Sequence, residues 1–135
     1  MKSDRFDAGD AIFSYTREQA IDDGVLVDVS DDARGVGFVL PVALTRSVWE
    51  HYVEWTDHDC RRQFYQDRSE RLLNVLWTAM QAARRKPSSS VSLFSLWAVP
   101  RGGHRIRPRK TTLKLHVGPD DDGSPVLTIL LPDED

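Results

Sequence analysis

Five side chains within residues 51–60 belong to types that bind metals or act in nucleophilic catalysis. They are His51, Asp57, His58, Asp59 and Cys60. Imidazole, carboxylate and thiolate are zinc ligands, but this spacing matches no standard zinc motif and the chain has no second cysteine. Cys60 and His58 are also a nucleophile and a base by type, yet side chains two positions apart on a helix point away from each other. We therefore assign neither a metal site nor a catalytic thiol to this stretch.

Two further segments are similar to known binding or catalytic motifs, but each lacks a residue that the known motif requires. Residues 120–123 (DDDG) are similar to the start of a calcium loop, without its closing glutamate. Residues 14–16 (SYT), followed by a short helix and Gly24, have the layout that opens some ADP-ribosyltransferase folds, without an evident catalytic glutamate on a later strand. Phosphate-binding glycine loops and hydrolase motifs are absent. The sequence thus predicts no catalytic residue and no cofactor, and a nucleotide-using enzyme is the least favoured alternative.

Basic residues are concentrated between positions 84 and 110, where they could hold nucleic-acid phosphates. Trp97 and His104 lie in the same segment and could stack on bases. The structural alternative is that cations at a helix C-terminus stabilise the helix dipole and the others pair with acidic residues. The pI of about 5.8 argues against a general nucleic-acid binder. The candidate phosphate-binding residues are Arg84, Arg85, Arg101, Arg105, Arg107, Arg109 and Lys110.

Acidic residues form two runs near the C-terminus that imitate the charge of a phosphate backbone. A basic, nucleic-acid-binding groove on another protein would accept such carboxylates in place of phosphates. Runs of this kind are also common as solvated turns and tails. The leading candidates for partner binding are Asp120, Asp121, Asp122, Asp133, Glu134 and Asp135.

Charge is sorted along the chain into three blocks. Residues 1–60 contain thirteen acids and five bases, residues 61–114 two acids and thirteen bases, and residues 115–135 six acids and no base. The net charge of −3 therefore conceals an acid–base–acid layout. Such a layout either neutralises itself inside the fold or gives the surface two faces of opposite sign. In both cases it points to binding rather than to catalysis.

Length and composition predict one cytoplasmic domain. A chain of 135 residues, of which 40% are hydrophobic, can bury a core. The single cysteine excludes an intrachain disulfide and suits a reducing compartment. No apolar run has the length of a membrane span, and the N-terminus lacks the apolar region of a signal peptide. We expect residues 1–135 to form one domain without membrane contact, with residues 1–10 flexible.

Capping signals and periodicity predict three helices. Thr16 and Gln19 have the form of a capping box for a short helix that Gly24 ends. Thr45 can cap a second helix, over about 45–55, and Ser69 a third, over about 69–86. Residues 57–67 are expected to be a charged connector. The expected apolar face of the third helix consists of Leu72, Leu73, Leu76, Trp77, Met80 and Ala83.

The rest of the chain predicts strands. Alternating or continuous apolar residues over about 91–99, 112–117 and 126–131 indicate three strands joined by turns. One or two strands precede them near residues 25–29 and 38–44, and Pro41 in the latter favours an edge strand or a bulge rather than a central strand. We therefore expect an α+β fold in which an antiparallel sheet, with a C-terminal three-strand meander, packs against two or three helices.

Several segments of the chain are similar to one known family. The most specific is the opening, residues 14–29, which reads SYTREQAIDDGVLVDV. The likeness continues through residues 41–45 (PVALT), 55–57 (WTD), 62–63 (RQ), 66–67 (QD), 75–77 (VLW), 112–115 (TLKL) and 131–135 (LPDED). On these segments the chain resembles a family of small, uncharacterised bacterial proteins met mainly on plasmids, integrative elements and phages. The sequence departs from the family's usual pattern around Cys60, Arg68 and Asn74. The resemblance implies no established activity, so no residue inherits a role from it.

The resemblance implies a genomic association with mobile elements, whose small acidic proteins often act by binding other molecules. Our leading hypothesis is a non-enzymatic binding protein whose acidic surfaces contact a protein partner. That partner would be a host defence complex, in the manner of an anti-CRISPR or anti-restriction protein. The alternative is a nucleic-acid-binding accessory factor that uses the basic segment. Pairing of the charge blocks within a homodimer is also compatible with the sequence.

Overall fold

A five-stranded mixed sheet with packed helices forms the framework of the protein. The computed structural model describes residues 15–85 and 90–134. The described helices are α1 (Arg17–Asp22), α2 (Ser30–Val36), α3 (Arg46–Val48, continued by a π-helical turn, Trp49–Val53), α4 (Asp57–Arg62) and α5 (Arg68–Arg85). The strands are β1 (Leu26–Asp28), β2 (Val42–Thr45), β3 (Val91–Ala98), β4 (Arg109–Pro119) and β5 (Pro125–Leu130). The predictions made for residues 1–10, Ser14 and Asp135 lie outside the described residues.

The strand order β1-β2-β5-β4-β3 makes β1 and β3 the two edges of the sheet. The strands β3, β4 and β5 form the expected antiparallel meander, and β1 pairs antiparallel with β2. The α+β class is therefore confirmed. The sheet is mixed rather than purely antiparallel, because β2 runs parallel to β5. Most of the chain separates these two strands, so no local signal could reveal their pairing.

The prediction that Pro41 marks an edge strand or a bulge rather than a central strand is wrong. Strand β2 begins one residue later, at Val42, and pairs with β1 on one side and β5 on the other. Pro41 has no N–H to donate, but its carbonyl accepts the N–H of Leu127 at 2.9 Å. The proline thus immediately precedes an inner strand.

Side-chain caps set the starts of the helices. The hydroxyl of Thr16 accepts the N–H of Gln19 at 3.0 Å, and the Gln19 side chain accepts the N–H of Thr16 at 2.9 Å, which confirms the capping box. Thr45 accepts an N–H at the start of α3, as expected. The predicted cap of the long helix was off by two positions, because Asp67 rather than Ser69 supplies it. Its carboxylate accepts the Ser69 N–H at 2.8 Å.

The described residues contain five helices instead of two or three. Part of the expected charged connector, residues 57–67, forms α4, which Thr56 and Asp59 cap as a second capping box. The expected helix over 45–55 is a short α-helical turn followed by the π-helical turn, closed by the Glu54 N–H on the Trp49 carbonyl at 2.7 Å. A short helix with few apolar positions gives little periodic signal, which is why the sequence did not predict α4.

The buried face of α5 differs from the expected one. It consists of Leu72, Val75, Leu76, Ala79, Met80 and Ala82. Leu73 and Trp77, expected inside, are 53% and 54% exposed. Both lie about 100° around the helix from Leu72 and Leu76, so they point past the edge of the core. No helix among the described residues is long and apolar enough to cross a membrane.

The core lies between α5 and one face of the sheet. Leu76, Leu113 and Ile129 are fully buried there, and each such side chain contributes roughly 1.5–3 kcal/mol relative to an exposed one. Strand β3 shows the arrangement most clearly, since its residues alternate between exposed and buried along its whole length. The opposite side of the sheet is here called the open face.

Candidate functional site

The hairpin of β3 and β4 presents an aromatic and basic strip on the open face. We call this strip the hairpin face, and it consists of Leu93, Ser95, Trp97, Lys110, Thr112 and Lys114. Trp97 and Lys110 are directly opposite each other in the register, as are Leu93 and Lys114. The Trp97 side chain is 65% exposed, which is unusual for the largest apolar residue. An exposed indole beside ammonium groups is a surface suited to a flat, anionic ligand.

The loop that joins β3 to β4 is anchored by α4 and its flanks. The Gln63 side chain donates to the carbonyls of Pro100 at 3.2 Å and Arg105 at 2.6 Å, and accepts the N–H of Gly102 at 3.0 Å. Arg101 donates its Nε–H to the Asp59 carboxylate at 2.8 Å. These contacts fix the backbone of the loop, while the side chains of its later arginines remain exposed.

Asp59 is the buried centre of this anchor, with 1% of its surface exposed. Its carboxylate accepts from Thr56, from Arg101 and from Arg62, each at 2.8–3.0 Å. Burial by itself raises the pKa of Asp59, but the hydrogen bonds from Thr56 and Arg101 outweigh it and lower the pKa to about 2. The carboxylate is therefore charged at physiological pH, where it can accept the hydrogen bonds of Arg62 and Arg101.

Arg71 supports the same region from α5. Its guanidinium donates to the carbonyls of Val53 at 3.1 Å, Val99 at 2.8 Å and His51 at 3.1 Å, and lies 4.5 Å from the centre of the Trp55 ring. These bonds satisfy carbonyls at the end of the π-helical turn and at the end of β3. Burial lowers the pKa of Arg71 to about 10, although Asp59 opposes the shift, so the guanidinium stays cationic near neutral pH.

The structure divides the candidate phosphate-binding residues into three groups. Arg101 is partly buried and paired with Asp59. Arg105, Arg107, Arg109 and Lys110 are exposed, and none of them forms an ion pair with a described residue. Arg84 and Arg85 end α5, before β3, whereas the loop follows β3, so the two groups are separated by about 26 Å of strand. The basic segment is therefore not one cluster.

Some of the candidate acidic residues accept hydrogen bonds that stabilise the fold. The Asp121 carboxylate accepts the N–H groups of Arg17 at 2.8 Å and Glu18 at 3.2 Å, at the start of α1. Glu134 accepts the Thr45 hydroxyl and the Leu131 N–H, both at 2.8 Å. The carboxylates of Asp120 and Asp122 accept N–H groups of their own turn, and Asp133 is exposed. Asp121 and Glu134 thus have structural partners that their runs of sequence did not suggest.

In the folded protein, acidic side chains from the N-terminal part of the chain lie beside the acidic run at residues 120–122. A groove of about 420 Å³ is lined by residues from α1, β1, α2 and the turn before β5. Its carboxylates are Glu18, Asp22, Asp28, Asp120, Asp121 and Asp122. Arg17 is the cation in the same groove, held by the Thr128 hydroxyl and the Leu127 carbonyl at 2.8 Å each. We call this feature the acidic groove.

No metal or thiol site emerges from the residues with chemical side chains. His51 binds the Ser47 carbonyl through Nδ1 at 2.8 Å, Asp59 is enclosed by its cationic partners, and Cys60 Sγ lies 3.7 Å from the Gln66 carbonyl. Within residues 15–85 and 90–134, no three His, Cys, Asp or Glu side chains are placed to hold an ion. The Tyr15 hydroxyl donates to Asp23 at 2.6 Å, a bond that raises the pKa of Tyr15.

A cavity of about 520 Å³ also opens on the open face. Lys114 and His116 of β4 line it, together with Arg46, Thr45 and Glu134. The alternation of Thr112, Lys114 and His116 was a visible signal that these side chains share a face. The sequence pattern indicates a half-exposed strand at these positions. It does not show that they share a face with Trp97, because that depends on the register between β3 and β4.

Comparison with known proteins places the chain in a family but gives it no activity. No curated protein matches it, and no solved structure matches it. One family model matches residues 2–135, nearly the full length. On this evidence the chain belongs to a family of unknown function (DUF6573).

Proposed function

We propose that the protein is a cytoplasmic, non-enzymatic binding protein that holds single-stranded nucleic acid on the hairpin face. The observation that carries the proposal is the exposed Trp97 beside Lys110, next to a loop whose later arginines, Arg105 and Arg107, have no ion-pair partner among the described residues. Bases unstacked from a single strand pack on such an aromatic side chain, and the surrounding cations neutralise the phosphates.

The distribution of charge supports this proposal. The acidic groove and the hairpin face lie on different elements, and the four ion pairs of the described residues do not join them. Within the part of the chain that the structure describes, the positive surface is therefore not cancelled by internal pairing. A molecule of net charge −3 with such a surface is directed toward a polyanion by one side only.

Binding of a fluorescein-labelled oligothymidylate, followed by fluorescence anisotropy at low salt, tests the proposal. Stacking of one base contributes about 1–3 kcal/mol, so Trp97→Ala should weaken binding by about 5- to 150-fold. Tyr65→Ala is the matched control, because Tyr65 is 78% exposed and lies outside the hairpin face. Absence of binding by the wild type, or equal affinity of wild type and Trp97→Ala, would refute the proposal.

A second candidate function uses the acidic groove to bind a basic protein. The observation in its favour is that six carboxylates from separate parts of the chain surround one groove. Together with the resemblance to proteins of plasmids, integrative elements and phages, it supports an inhibitor of a host defence complex of the anti-CRISPR or anti-restriction type. Carboxylates would there replace the phosphates that the complex normally binds.

Charge reversal tests this second candidate. The double variant Asp120→Lys with Asp122→Lys changes the groove without removing the Asp121 bonds to α1. It should abolish capture of a nuclease-resistant protein partner from host lysate, while the control Glu50→Lys, at an exposed position on the π-helical turn, should not. Equal capture by both variants would contradict the role of the groove.

A further inference from the structure

The edge strand β3 has the properties of a strand that pairs with another strand. It is eight residues long, reads VSLFSLWA, and contains neither a charged residue nor a proline. Edge strands normally carry such residues, because they prevent pairing with another chain. The other edge, β1, has only three residues and ends in Asp28. Of the two edge strands in the described residues, β3 alone therefore lacks this protection.

The backbone of β3 offers hydrogen-bonding groups along its outer edge. The Val117 N–H donates to the Ser90 carbonyl, so the even-numbered residues of β3 bond to β4. Leu93, Ser95 and Trp97 consequently direct their N–H and C=O groups away from β4. The Asn74 side chain donates to the Trp97 carbonyl at 2.9 Å, which confirms this direction. No described strand pairs with the N–H and C=O groups of Leu93 and Ser95.

Exposed apolar side chains lie beside this edge on the open face. Leu93 and Trp97 are 62% and 65% exposed there. An added strand would contact this pair on the open face and the Asn74 side of α5 on the other layer. A strip eight residues long and two layers deep has a projected area of roughly 500 Å², near the lower limit of about 600 Å² per partner for specific interfaces.

We propose that β3 pairs antiparallel with β3 of a second copy of this chain, with the two-fold axis at Ser95. This inference goes beyond the proposed function and does not depend on it. In this register Ser95 faces its own counterpart, where two identical side chains must fit together, and a small one does so best. Each Leu93 then faces a Trp97 of the other copy, an aliphatic–aromatic pair of the kind that stabilises sheets.

Charge complementarity along α5 favours a second copy over another occupant. Asn74 is level with Trp97, so the helix position level with Ser95 is about 4 residues later, near Thr78. The two-fold axis therefore places Glu70 of one copy beside Arg85 of the other, and the reverse. Opposite charges meet at both ends of the helix pair, while the uncharged β3 strands meet between them.

Pairing of this kind would also extend the open face across both copies. Two Trp97 side chains would lie on the same face, separated by four residues along the strands and one strand spacing, roughly 14 Å. The two hairpin faces would then form one continuous surface.

Sedimentation velocity over a range of protein concentrations tests the proposal. The wild type should form a species of twice the 15.4 kDa chain mass, with a dissociation constant in the micromolar range. Ser95→Lys places like charges at the axis and should weaken the dimer at least tenfold. The matched control is Thr112→Lys, because Thr112 pairs with Ser95 on the same face but lies one strand inward.

Ser95→Pro provides a second, independent variant. It removes the outward N–H and leaves the ladder between β3 and β4 intact, so it should give a folded monomer by circular dichroism. A wild type that stays monomeric at 100 µM overturns the proposal. The remaining candidate to pair with β3 is then a strand of a different protein. A dimer that survives both Ser95 variants overturns it as well.

Discussion

Replacing Asp59 by asparagine should destabilise the protein and loosen the loop that carries the exposed arginines. The asparagine has the same shape, but one carboxylate oxygen becomes an NH₂ group. Both oxygens of Asp59 accept hydrogen bonds, from Thr56 and Arg101 on one side and Arg62 on the other. Either orientation of the amide therefore points N–H groups at other donors, and the charge that holds two arginines is lost.

The size of the effect follows from the pKa of Asp59 and from the exposure of its partners. The pKa falls from an ordinary value of 3.8 to about 2, which corresponds to about 2 kcal/mol of stability from the charged form. Arg62 and Arg101 are 28% and 31% exposed, so water partly compensates them when the carboxylate is removed. We expect Asp59→Asn to lower the free energy of unfolding by about 2–3 kcal/mol at pH 7.

The pH dependence separates this mechanism from a simple packing defect. Because the folded-state pKa is depressed, the contribution of Asp59 is fully present above about pH 4 and is lost as the pH falls through about 2. Urea unfolding between pH 2.5 and 7 should therefore show the gap between wild type and Asp59→Asn closing in acid. Asp57→Asn, an exposed position on the same helix, should cost less than about 1 kcal/mol. Equal effects of the two variants, or a gap independent of pH, would refute the reasoning.

Three further changes test the fold that positions the hairpin face. Arg71→Lys should lower the free energy of unfolding by about 3 kcal/mol, because an ammonium cannot reach the three carbonyls that the guanidinium satisfies; urea unfolding measures it, and a loss below 1 kcal/mol would contradict it. Gly24→Ala should lower the free energy of unfolding by about 1–2 kcal/mol, because Gly24 has a φ of 78° and an added Cβ would lie 3.2 Å from the Arg46 side chain. Gly35→Ala is the control: Gly35 lies in α2 with open space around it, so urea unfolding should show no change or a gain in stability. Thr16→Ala should cost about 1 kcal/mol in thermal or urea unfolding through loss of the capping box, and no change would show that α1 does not depend on it.

Features that depend on neighbouring residues were predictable from the sequence. The capping box of Thr16 and Gln19, the cap at Thr45 and the alternation along β3 and β4 all involve contacts within a few positions or a fixed period of two. The position of Trp97 among basic residues is also visible in the sequence, and its role in stacking stays a prediction. Each of these signals is complete within a short window of the chain.

Features that depend on distant contacts were not predictable. The side chain of Asp121 caps a helix that begins more than a hundred positions earlier, and Asp59 pairs with Arg101 forty-two positions later. The sequence showed the first as part of an acidic run and the second as a charged residue in a connector. The parallel pairing of β2 with β5, which joins the β1–β2 pair to the C-terminal meander, has the same long-range character. Register and tertiary partners, rather than residue type, decide which charges remain available to a ligand.

The most direct test of the central claim is the salt dependence of oligonucleotide binding by the wild type and by Lys110→Ala. Arg105, Arg107, Arg109 and Lys110 are exposed and unpaired among the described residues, so four phosphate contacts predict a slope of about −3 for log affinity against log salt. Lys110→Ala should reduce the magnitude of this slope by about 0.7. A slope near zero, or one that Lys110→Ala leaves unchanged, would contradict a nucleic-acid-binding hairpin face.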